Sequence, residues 1–417
     1  MSQAYNWDAW QTTFALSLLA NSASDTKVAA SSAQDAETQL TTLLSTGIST
    51  GISTYLNGDW AVTWGPAVFV DSGQTSPYNA TNAAYVAYNQ QNGRYVLAIA
   101  ATDPISNYDW SQEDFNITPA VAWNDALKTW TGTKGTDSSA GFLTTATVNG
   151  VANVLKLSAG GHTLLDYLKS LTLSGQETIT VTGHSLAGAL SPVVALGLIK
   201  GLRTTALSSD VVTAYPTAGA TPGDLTFASF YSDTLKPITG TGASASASPW
   251  QVWNVDQWNQ FDVVPSAWQV DTINLIVSDY QQPKNASGKA EYGLLDIAAL
   301  KVLAGIAETK TTLFAAEAGD GVGRLAPAFV TGTDSAGEAW TAWPGCLNGA
   351  ATAQETFAWS VTQNQTTEVL QWSQMTAAQQ QLATPLSPQK QVGFQHVSHY
   401  EQLILGSVIF SLSSSSS

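Results

Sequence analysis

The sequence contains a single cysteine, Cys346, and four histidines among 417 residues. One cysteine cannot form an internal disulfide, and it rules out a cysteine-rich zinc or iron–sulfur site. The four histidines leave little material for a histidine-based metal site. We therefore expect neither a metal nor an organic cofactor.

Positive charge is also scarce. Lys and Arg number 15 against 31 Asp and Glu, which gives a formal net charge of −16. An extended contact with a phosphate backbone requires clustered Lys and Arg, so a nucleic-acid partner is excluded. Apolar material is plentiful: 44% of the residues are hydrophobic and 15 are Trp, which excludes disorder for most of the chain.

Long hydrophobic runs are missing, and no stretch reaches the roughly 18 apolar residues that a transmembrane helix needs. The short apolar stretch at residues 14–20 follows Asp8 and has no Lys or Arg before it. It therefore lacks the positive n-region of a secretory signal. Abundant Trp, Ser and Thr with little Lys are more typical of an exported protein. The composition thus favours an extracellular location, reached without a cleaved signal, over a cytoplasmic one.

The order of the predicted elements indicates an α/β fold. Residues 1–57 carry leucines at helical spacing, and residues 60–100 contain short aromatic and β-branched runs separated by turns. Strands and helices then alternate, which predicts a mostly parallel sheet with helices on both faces. The later predicted elements are strands at 178–182, 211–215 and 251–258 and helices at 142–173 and 187–202, the first of them with a candidate break at Gly160–Gly161.

Two segments fit a Gly-x-Ser-x-small pattern. Ser49 lies in GISTG, after a leucine-spaced helical stretch, and Ser185 lies in GHSLA. A nucleophile elbow needs a strand, a tight turn and then a helix, so that the turn exposes the hydroxyl and the helix presents N–H groups to an oxyanion. Only Ser185 has this context, with ETITVT before it and AGALSPVVAL after it. We therefore predict Ser185 as the nucleophile and a helix end at Ser49.

The segment ITVTGHSLAGAL resembles the GHSLGGAL elbow of the class 3 (fungal-type) lipases, which have the α/β-hydrolase fold. Two departures stand out: Ala100 and Ala101 precede Thr102 where the family usually carries Arg-Gly, and Ala187 replaces an elbow glycine. Further segments that resemble the family, in its order, are residues 58–78, 94–115, 139–142, 259–265 and 394–400.

The order of a triad in α/β-hydrolases is serine, then acid, then histidine. His162 precedes the nucleophile, and we interpret it as a structural or solvated histidine. His184 lies in the elbow itself, and we interpret it as support for packing or for the loop. His396 and His399 remain. The resemblance places the catalytic imidazole a few residues before an aromatic residue that begins an apolar helix, which favours His396 and keeps His399 as the alternative.

Asp262 is the predicted acid because it follows the strand at 251–258, at the carboxyl end of the sheet. Asp256 is a rival within that predicted strand, where an unpaired carboxylate would be costly. Asp271 is a second rival without motif support. The predicted oxyanion hole consists of the N–H of Leu186 and of Thr102, whose hydroxyl is a further candidate donor.

The resemblance implies a serine carboxylic ester hydrolase. We expect a lipase that cleaves acylglycerol esters through an acyl-enzyme on Ser185 and acts at a lipid–water interface. The alternatives are a phospholipase A1 or a polyester depolymerase with the same triad, or an inactive hydrolase fold that binds lipid or a protein partner. The sequence leaves the oligomeric state open.

We expect a single α/β-hydrolase domain over residues 1–417. It would comprise an N-terminal helical segment at about 1–57, a catalytic core at about 58–279 plus 391–412, and a helical cap at about 280–390. The resemblance also implies a lid within residues 103–138. Its tryptophans Trp110, Trp123 and Trp130 are candidates for contact with lipid, the alternative being ordinary core packing.

Overall fold

The computed structural model describes two compact units, Met1–Gln257 with Leu313–Gly345, and Trp258–Thr312 with Cys346–Ser417. Each is described by itself. The described residues are 5–24, 26–56, 59–100, 117–239, 248–268, 270–281, 292, 298–319, 322–323, 330–333, 339–342, 346–347, 351–363 and 366–410.

The first unit is built on a five-stranded mixed sheet. Its strands, in spatial order, are β1 (Trp60–Phe69), β2 (Asn82–Asn89), β3 (Arg94–Ala100), β4 (Thr178–His184) and β5 (Val212–Thr217). The pairs β1–β2 and β2–β3 are antiparallel, whereas β3–β4 and β4–β5 are parallel. The prediction of a mostly parallel sheet was therefore wrong. Only four residues join β2 to β3, and the twelve residues between β1 and β2 contain no helix, so neither connection forms the crossover that parallel pairing usually needs.

Helices cover both faces of this sheet, as predicted. The hydroxyl of Tyr85 on β2 donates to the main-chain oxygen of Leu16 in the first helix at 2.7 Å. The next residue, Val86, belongs to the core cluster that contains Val151 and Leu190 from two later helices. Successive strand residues point to opposite faces, so these helices lie on opposite sides. The helices of this unit are α1 (Ala9–Ala20), α2 (Ala33–Tyr55), α3 (Trp123–Thr131), α4 (Thr145–Lys156), α5 (Leu164–Ser170), α6 (Leu186–Lys200) and α7 (Leu225–Thr234).

The helical region predicted over 142–173 is divided at Gly160–Gly161, the position considered for a break. A small hairpin separates α4 from α5 and pairs Ser158–Ala159 with His162–Thr163. Gly160 and Gly161 form its turn with φ values of 60° and 83°, a conformation that favours glycine. The strand predicted over 251–258 is also shorter, because only Val252–Trp253 forms a strand. Gln257 adds a single parallel bridge to Thr217 at the end of β5.

Short strands complete the first unit. They are Val121–Ala122, Phe142–Leu143, Gly223–Asp224, Ile238–Thr239, Val322–Gly323, Val330–Thr333 and Ala339–Ala342. No helix in the described part of the chain is both long and apolar enough to cross a bilayer.

The second unit combines helices with a small antiparallel sheet of β6 (Ala358–Gln363), β7 (Thr366–Gln371) and β8 (Ala383–Pro385). The interval 280–390 was expected to be helical, which is correct for α9 but wrong for β6–β8. The prediction followed the Ala and Gln content of the interval. It overlooked two runs, AWSVTQ and TTEVLQ, whose β-branched and aromatic residues favour strands. The helices are α8 (Val270–Asp279), α9 (Ala298–Ala318, which ends in the first unit), α10 (Ala353–Thr356), α11 (Ala377–Leu382), α12 (Pro388–Gly393) and α13 (His399–Leu405), with a 3₁₀ turn at Trp372–Gln374 and a π-helix at Phe394–Ser398.

Candidate active site

Ser185 lies at a sharp turn between β4, which ends at His184, and α6, which begins at Leu186. Its φ is 63° and its ψ is −129°. This is an unfavourable conformation for a residue with a side chain, and it is the conformation of a nucleophile elbow. The N–H of Ser185 donates to the carbonyl oxygen of Thr217 on β5 at 3.0 Å, which ties the turn to the neighbouring strand.

Two glycines allow strand and helix to approach closely at the elbow. A Cβ on Gly183 would lie 2.5 Å from the Cβ of Ala187, and a Cβ on Gly188 would lie 2.4 Å from the carbonyl oxygen of Thr217. The methyl group of Ala187 thus occupies the space over the bare Cα of Gly183. The departure from the family pattern at residue 187 is therefore accommodated sterically, and the glycines that the turn needs are retained.

Leu186 is the first residue of α6, so its N–H belongs to the helical first turn, whose amides have no acceptor within the helix. The side chain of Ser185 makes no capping hydrogen bond to this turn. The positive end of the helix dipole adds to the same site. The elbow therefore has the local electrostatics that favour a developing oxyanion.

Ser49, the other serine candidate, lies in a helix and not at a strand–turn–helix junction. Ser49 lies on an exposed turn of α2, inside the helix rather than at its end. A Cβ on Gly47 would lie 2.5 Å from the Ser22 hydroxyl, and one on Gly51 would lie 2.1 Å from Leu19. The glycines around Ser49 thus serve close packing of α2.

Asp262 and His396 form a buried pair within the second unit. The Nδ1 of His396 lies 2.8 Å from the Oδ2 of Asp262, and the two residues are 3% and 0% exposed. Oδ2 also accepts a hydrogen bond from the Tyr400 hydroxyl at 3.0 Å, and Oδ1 accepts one from the N–H of Val264 at 3.0 Å. Three donors thus satisfy a carboxylate that would otherwise be costly to bury. The contact places a proton on Nδ1 of His396 and leaves Nε2 as its basic nitrogen.

His396 lies in the π-helix Phe394–Ser398, between α12 and α13. Its wider turn interrupts the regular helical spacing of side chains, and π-helical turns are frequent at functional sites. Nothing in the spacing of apolar residues signals this turn from the sequence.

In the described part of the chain, His399, the alternative base, contacts amide side chains rather than a carboxylate. Its Nδ1 lies 2.7 Å from Oε1 of Gln395, and its Nε2 lies 3.2 Å from Nε2 of Gln371. Burial lowers the pKa of His399 to about 4, so the imidazole is neutral at ordinary pH. The geometry therefore pairs the predicted acid with His396 rather than with His399.

The remaining carboxylate and histidine candidates lie elsewhere. Asp256 belongs to the first unit, where its Oδ1 accepts from the N–H of Gly219 at 3.2 Å, and Asp271 lies in α8. His184 contacts the Thr217 hydroxyl through Nδ1 at 2.9 Å. His162 is exposed in the hairpin between α4 and α5. His184 is therefore packed against β5, whereas His162 is solvated.

Thr102 and Trp110 lie outside the described residues. Trp123 and Trp130 are described, and both are buried in the core of the first unit. Their rings meet edge to face with centroids 5.7 Å apart, and Nε1 of Trp130 donates to the carbonyl oxygen of Val148 at 2.9 Å. The prediction that these two tryptophans contact lipid was wrong, because they fill the core. In the described part of the chain, no group of three His, Cys, Asp or Glu side chains is placed to hold a metal ion.

A nucleophile elbow on a mixed sheet with helices on both faces defines an α/β-hydrolase. Residues 97–271, which include Ser185 and Asp262, match the family model described as Lipase (class 3). Over these residues the chain is similar to the class 3 lipases, and this similarity supports a carboxylic ester hydrolase.

The fold is similar to that of a solved lipase. The crystal structure of M37 lipase is 23% identical, with 73% of this chain and 82% of that chain covered and a TM-score of 0.53. A lipase from Rhizopus microsporus var. chinensis is 11% identical, with 62% and 68% covered and a TM-score of 0.38. A propeptide complex of Rhizomucor miehei lipase is 16% identical, with 63% of each chain covered and a TM-score of 0.38. Of these three structures, M37 lipase is the one whose TM-score exceeds 0.5. The search of curated protein sequences gave no match.

Proposed function

We propose that the protein is a serine lipase that cleaves acylglycerol esters through an acyl-enzyme on Ser185. His396 is the general base, and Asp262 orients its imidazole. The N–H groups of Leu186 and Thr102 hold the oxyanion. The segment at about 280–390 is proposed to form a cap over the acyl group, and a lid within residues 103–138 is also part of this proposal.

The observation that carries this proposal is the backbone conformation of Ser185. A positive φ at a residue with a side chain costs about 1–3 kcal/mol and persists where the surroundings impose it. Here the strand, the helix and two close glycine contacts impose it on a serine. The same conformation in a purely structural turn would favour glycine, because glycine adopts positive φ without strain.

The proposed reaction has two steps. The Ser185 oxygen attacks the ester carbonyl carbon while Nε2 of His396 takes the hydroxyl proton, and Asp262 stabilises the resulting imidazolium. The tetrahedral oxyanion then collapses and expels the alcohol, which receives the proton from His396. In the second step, His396 activates a water molecule that attacks the acyl-enzyme and releases the fatty acid.

Charge favours a neutral substrate over an anionic one. The chain carries a net charge of −16, which opposes its approach to an anionic lipid surface. Acylglycerols have no ionised head group, whereas many phospholipids do. This supports an acylglycerol substrate over the phospholipase A1 alternative, and a polyester would also be neutral.

The test compares two serine variants on a panel of purified esters. Ser185→Ala should lose several powers of ten in turnover, because it removes the nucleophile. Ser49→Ala is the matched control and should keep its activity. The wild-type protein should hydrolyse neutral acylglycerols faster than anionic phospholipids or an aliphatic polyester. Full activity of Ser185→Ala would remove the mechanism, and a preference for phospholipid or polyester would change the substrate assignment.

A further inference from the structure

Two buried amide side chains lie beside the Asp262–His396 pair and bind each other. Nδ2 of Asn259 donates to Oε1 of Gln395 at 2.7 Å and to the main-chain oxygen of Gln395 at 2.9 Å. Asn259 lies three residues before Asp262, and Gln395 directly precedes His396. The loop and the π-helix are thus joined twice, once by an amide pair and once by the imidazole–carboxylate contact.

Asn259 also holds the loop that carries Asp262. Its Oδ1 accepts from the N–H of Phe261, and its carbonyl oxygen accepts from the N–H of Asp262, both at 3.0 Å. Its own N–H donates to the Tyr400 hydroxyl at 2.9 Å. Because that hydroxyl oxygen accepts from Asn259, its proton is directed to Oδ2 of Asp262. Asn259 therefore orients both the carboxylate and the tyrosine that binds it.

Gln395 is held from its other side. Its Oε1 also accepts from Nδ1 of His399 at 2.7 Å, and its Nε2 donates to the carbonyl oxygen of Thr356 at 3.2 Å. The same carbonyl oxygen accepts from Nε2 of Gln371 at 3.0 Å, and that amide faces Nε2 of His399. The orientation of each amide is thus determined by its partners, and such a connected network stabilises a single arrangement.

We propose that Asn259 and Gln395 are positioning residues that hold the His396 imidazole in register with Asp262. This inference rests on the proposed function, in which His396 is the general base. The two residues act through the triad, because they join the two segments that carry the base and the acid. A displacement of about 1 Å in such a group can cost about 10²-fold in rate, even when the altered residue lies outside the chemistry.

The chain offers a matched control one helical turn earlier. Gln391 is also fully buried, and its Oε1 accepts from the N–H of Ala358 at 3.1 Å rather than contacting the Asp262 loop. Methionine has nearly the length and volume of glutamine but lacks its hydrogen bonds. Gln395→Met should lower kcat about 10- to 100-fold with KM unchanged. Gln391→Met should leave kcat unchanged at a similar loss of stability.

Asn259→Asp breaks the contact between Asn259 and Gln395 from the loop side, because it replaces the donor Nδ2 with an oxygen that faces two oxygens of Gln395. The hydrogen bond from the N–H of Phe261 to Oδ1 is kept. This variant tests the proposal independently if Gln395→Met does not fold. When both variants fold, their effects on kcat should be non-additive, with the double variant no slower than the slower single one. Additive losses would contradict action through one shared contact.

Proton NMR of the enzyme without substrate tests the positioning role independently of the proposed function. The Nδ1 proton of His396, bound to a carboxylate, should give a low-field resonance in the proton NMR spectrum that is absent in Asp262→Asn. Gln395→Met should shift or broaden this resonance, and Gln391→Met should leave it unchanged. An unchanged resonance in Gln395→Met, or equal kcat losses in the two methionine variants, would overturn the positioning role. Full activity of Asp262→Asn would instead overturn the proposed triad, while the resonance would still report on the positioning of His396.

Discussion

Tyr400 and His396 bind the same oxygen atom, Oδ2 of Asp262, at 3.0 Å and 2.8 Å. The tyrosine thereby supplies a second donor to a carboxylate that is wholly buried. Hydrogen bonds to a charged group are stronger than those between neutral groups, so this contact helps to hold the carboxylate in place.

Tyr400→Phe should lower the free energy of unfolding by about 1–3 kcal/mol, because it removes a donor to a buried charge. Its kcat should fall less than that of Asp262→Asn, since His396 keeps its partner. Urea unfolding at pH 7 measures the stability. Tyr280→Phe is the matched control, because the buried Tyr280 hydroxyl donates to a neutral carbonyl oxygen, that of Phe261, at 3.3 Å. A larger loss of stability in Tyr280→Phe would contradict this interpretation.

His399 should make the protein less stable in acid. Burial lowers the pKa of its imidazole to about 4 from the ordinary value of 6.5, so the unfolded chain binds the proton first as the pH falls. The stability that neutral His399 contributes is present above pH 6.5 and is lost as the pH falls through about 4. The two pKa values correspond to about 3 kcal/mol at the acid end.

Urea unfolding of wild-type protein and His399→Gln between pH 7 and pH 4 tests this. The wild-type protein should lose more stability over the interval, while His399→Gln keeps esterase activity at pH 7. Glu401, whose pKa burial raises, titrates in both proteins and cancels in the comparison. Parallel pH profiles would show that His399 does not titrate as proposed, and an inactive His399→Gln with an active His396→Gln would reassign the base.

The two small residues after Leu186 should respond in opposite ways. Gly188→Ala would place a methyl group 2.4 Å from the carbonyl oxygen of Thr217, so the helix must shift and both stability and activity should fall sharply. Ala187→Gly restores the family pattern and should keep activity, with a helix-propensity cost of about 1 kcal/mol. Thermal unfolding and ester hydrolysis of both variants measure this. An active, stable Gly188→Ala would contradict the packing described for the elbow.

Trp130→Ala should act through the core rather than through a lipid interface. The ring is buried against Trp123, so truncation should cost about 3–5 kcal/mol of stability. The residual activity of the folded fraction should fall equally on emulsified and on dissolved esters. A loss of activity on the emulsified ester alone would indicate that Trp130 contacts lipid, which its burial argues against.

The sequence pattern predicted the parts of the site that are formed by residues close together in the chain. The elbow at Ser185 could be recognised because strand, turn and helix follow one another within a short segment. The direction of strand pairing was missed, because alternation of elements does not report whether a connection contains a crossover helix, and those between β1, β2 and β3 do not. The strands β6 and β7 were missed because their Ala- and Gln-rich surroundings favoured helix.

The Asn259–Gln395 contact could not be predicted either, since it joins residues 136 positions apart. Asp262 and His396 were predicted from their motifs, and the motifs carry no information about the amides that lie beside them. The π-helix around His396 likewise leaves no periodic signal. Long-range polar contacts of this kind are determined by tertiary packing and become visible only in the structure.

The most direct test of the account is to locate a fluorophosphonate adduct by mass spectrometry. The reagent labels only a serine whose hydroxyl is activated by a base. We predict one adduct, on the peptide that contains Ser185. The rate of labelling should be strongly reduced in His396→Ala and unchanged in Ser49→Ala. An adduct on any other residue, or an active enzyme that stays unlabelled at Ser185, would contradict it.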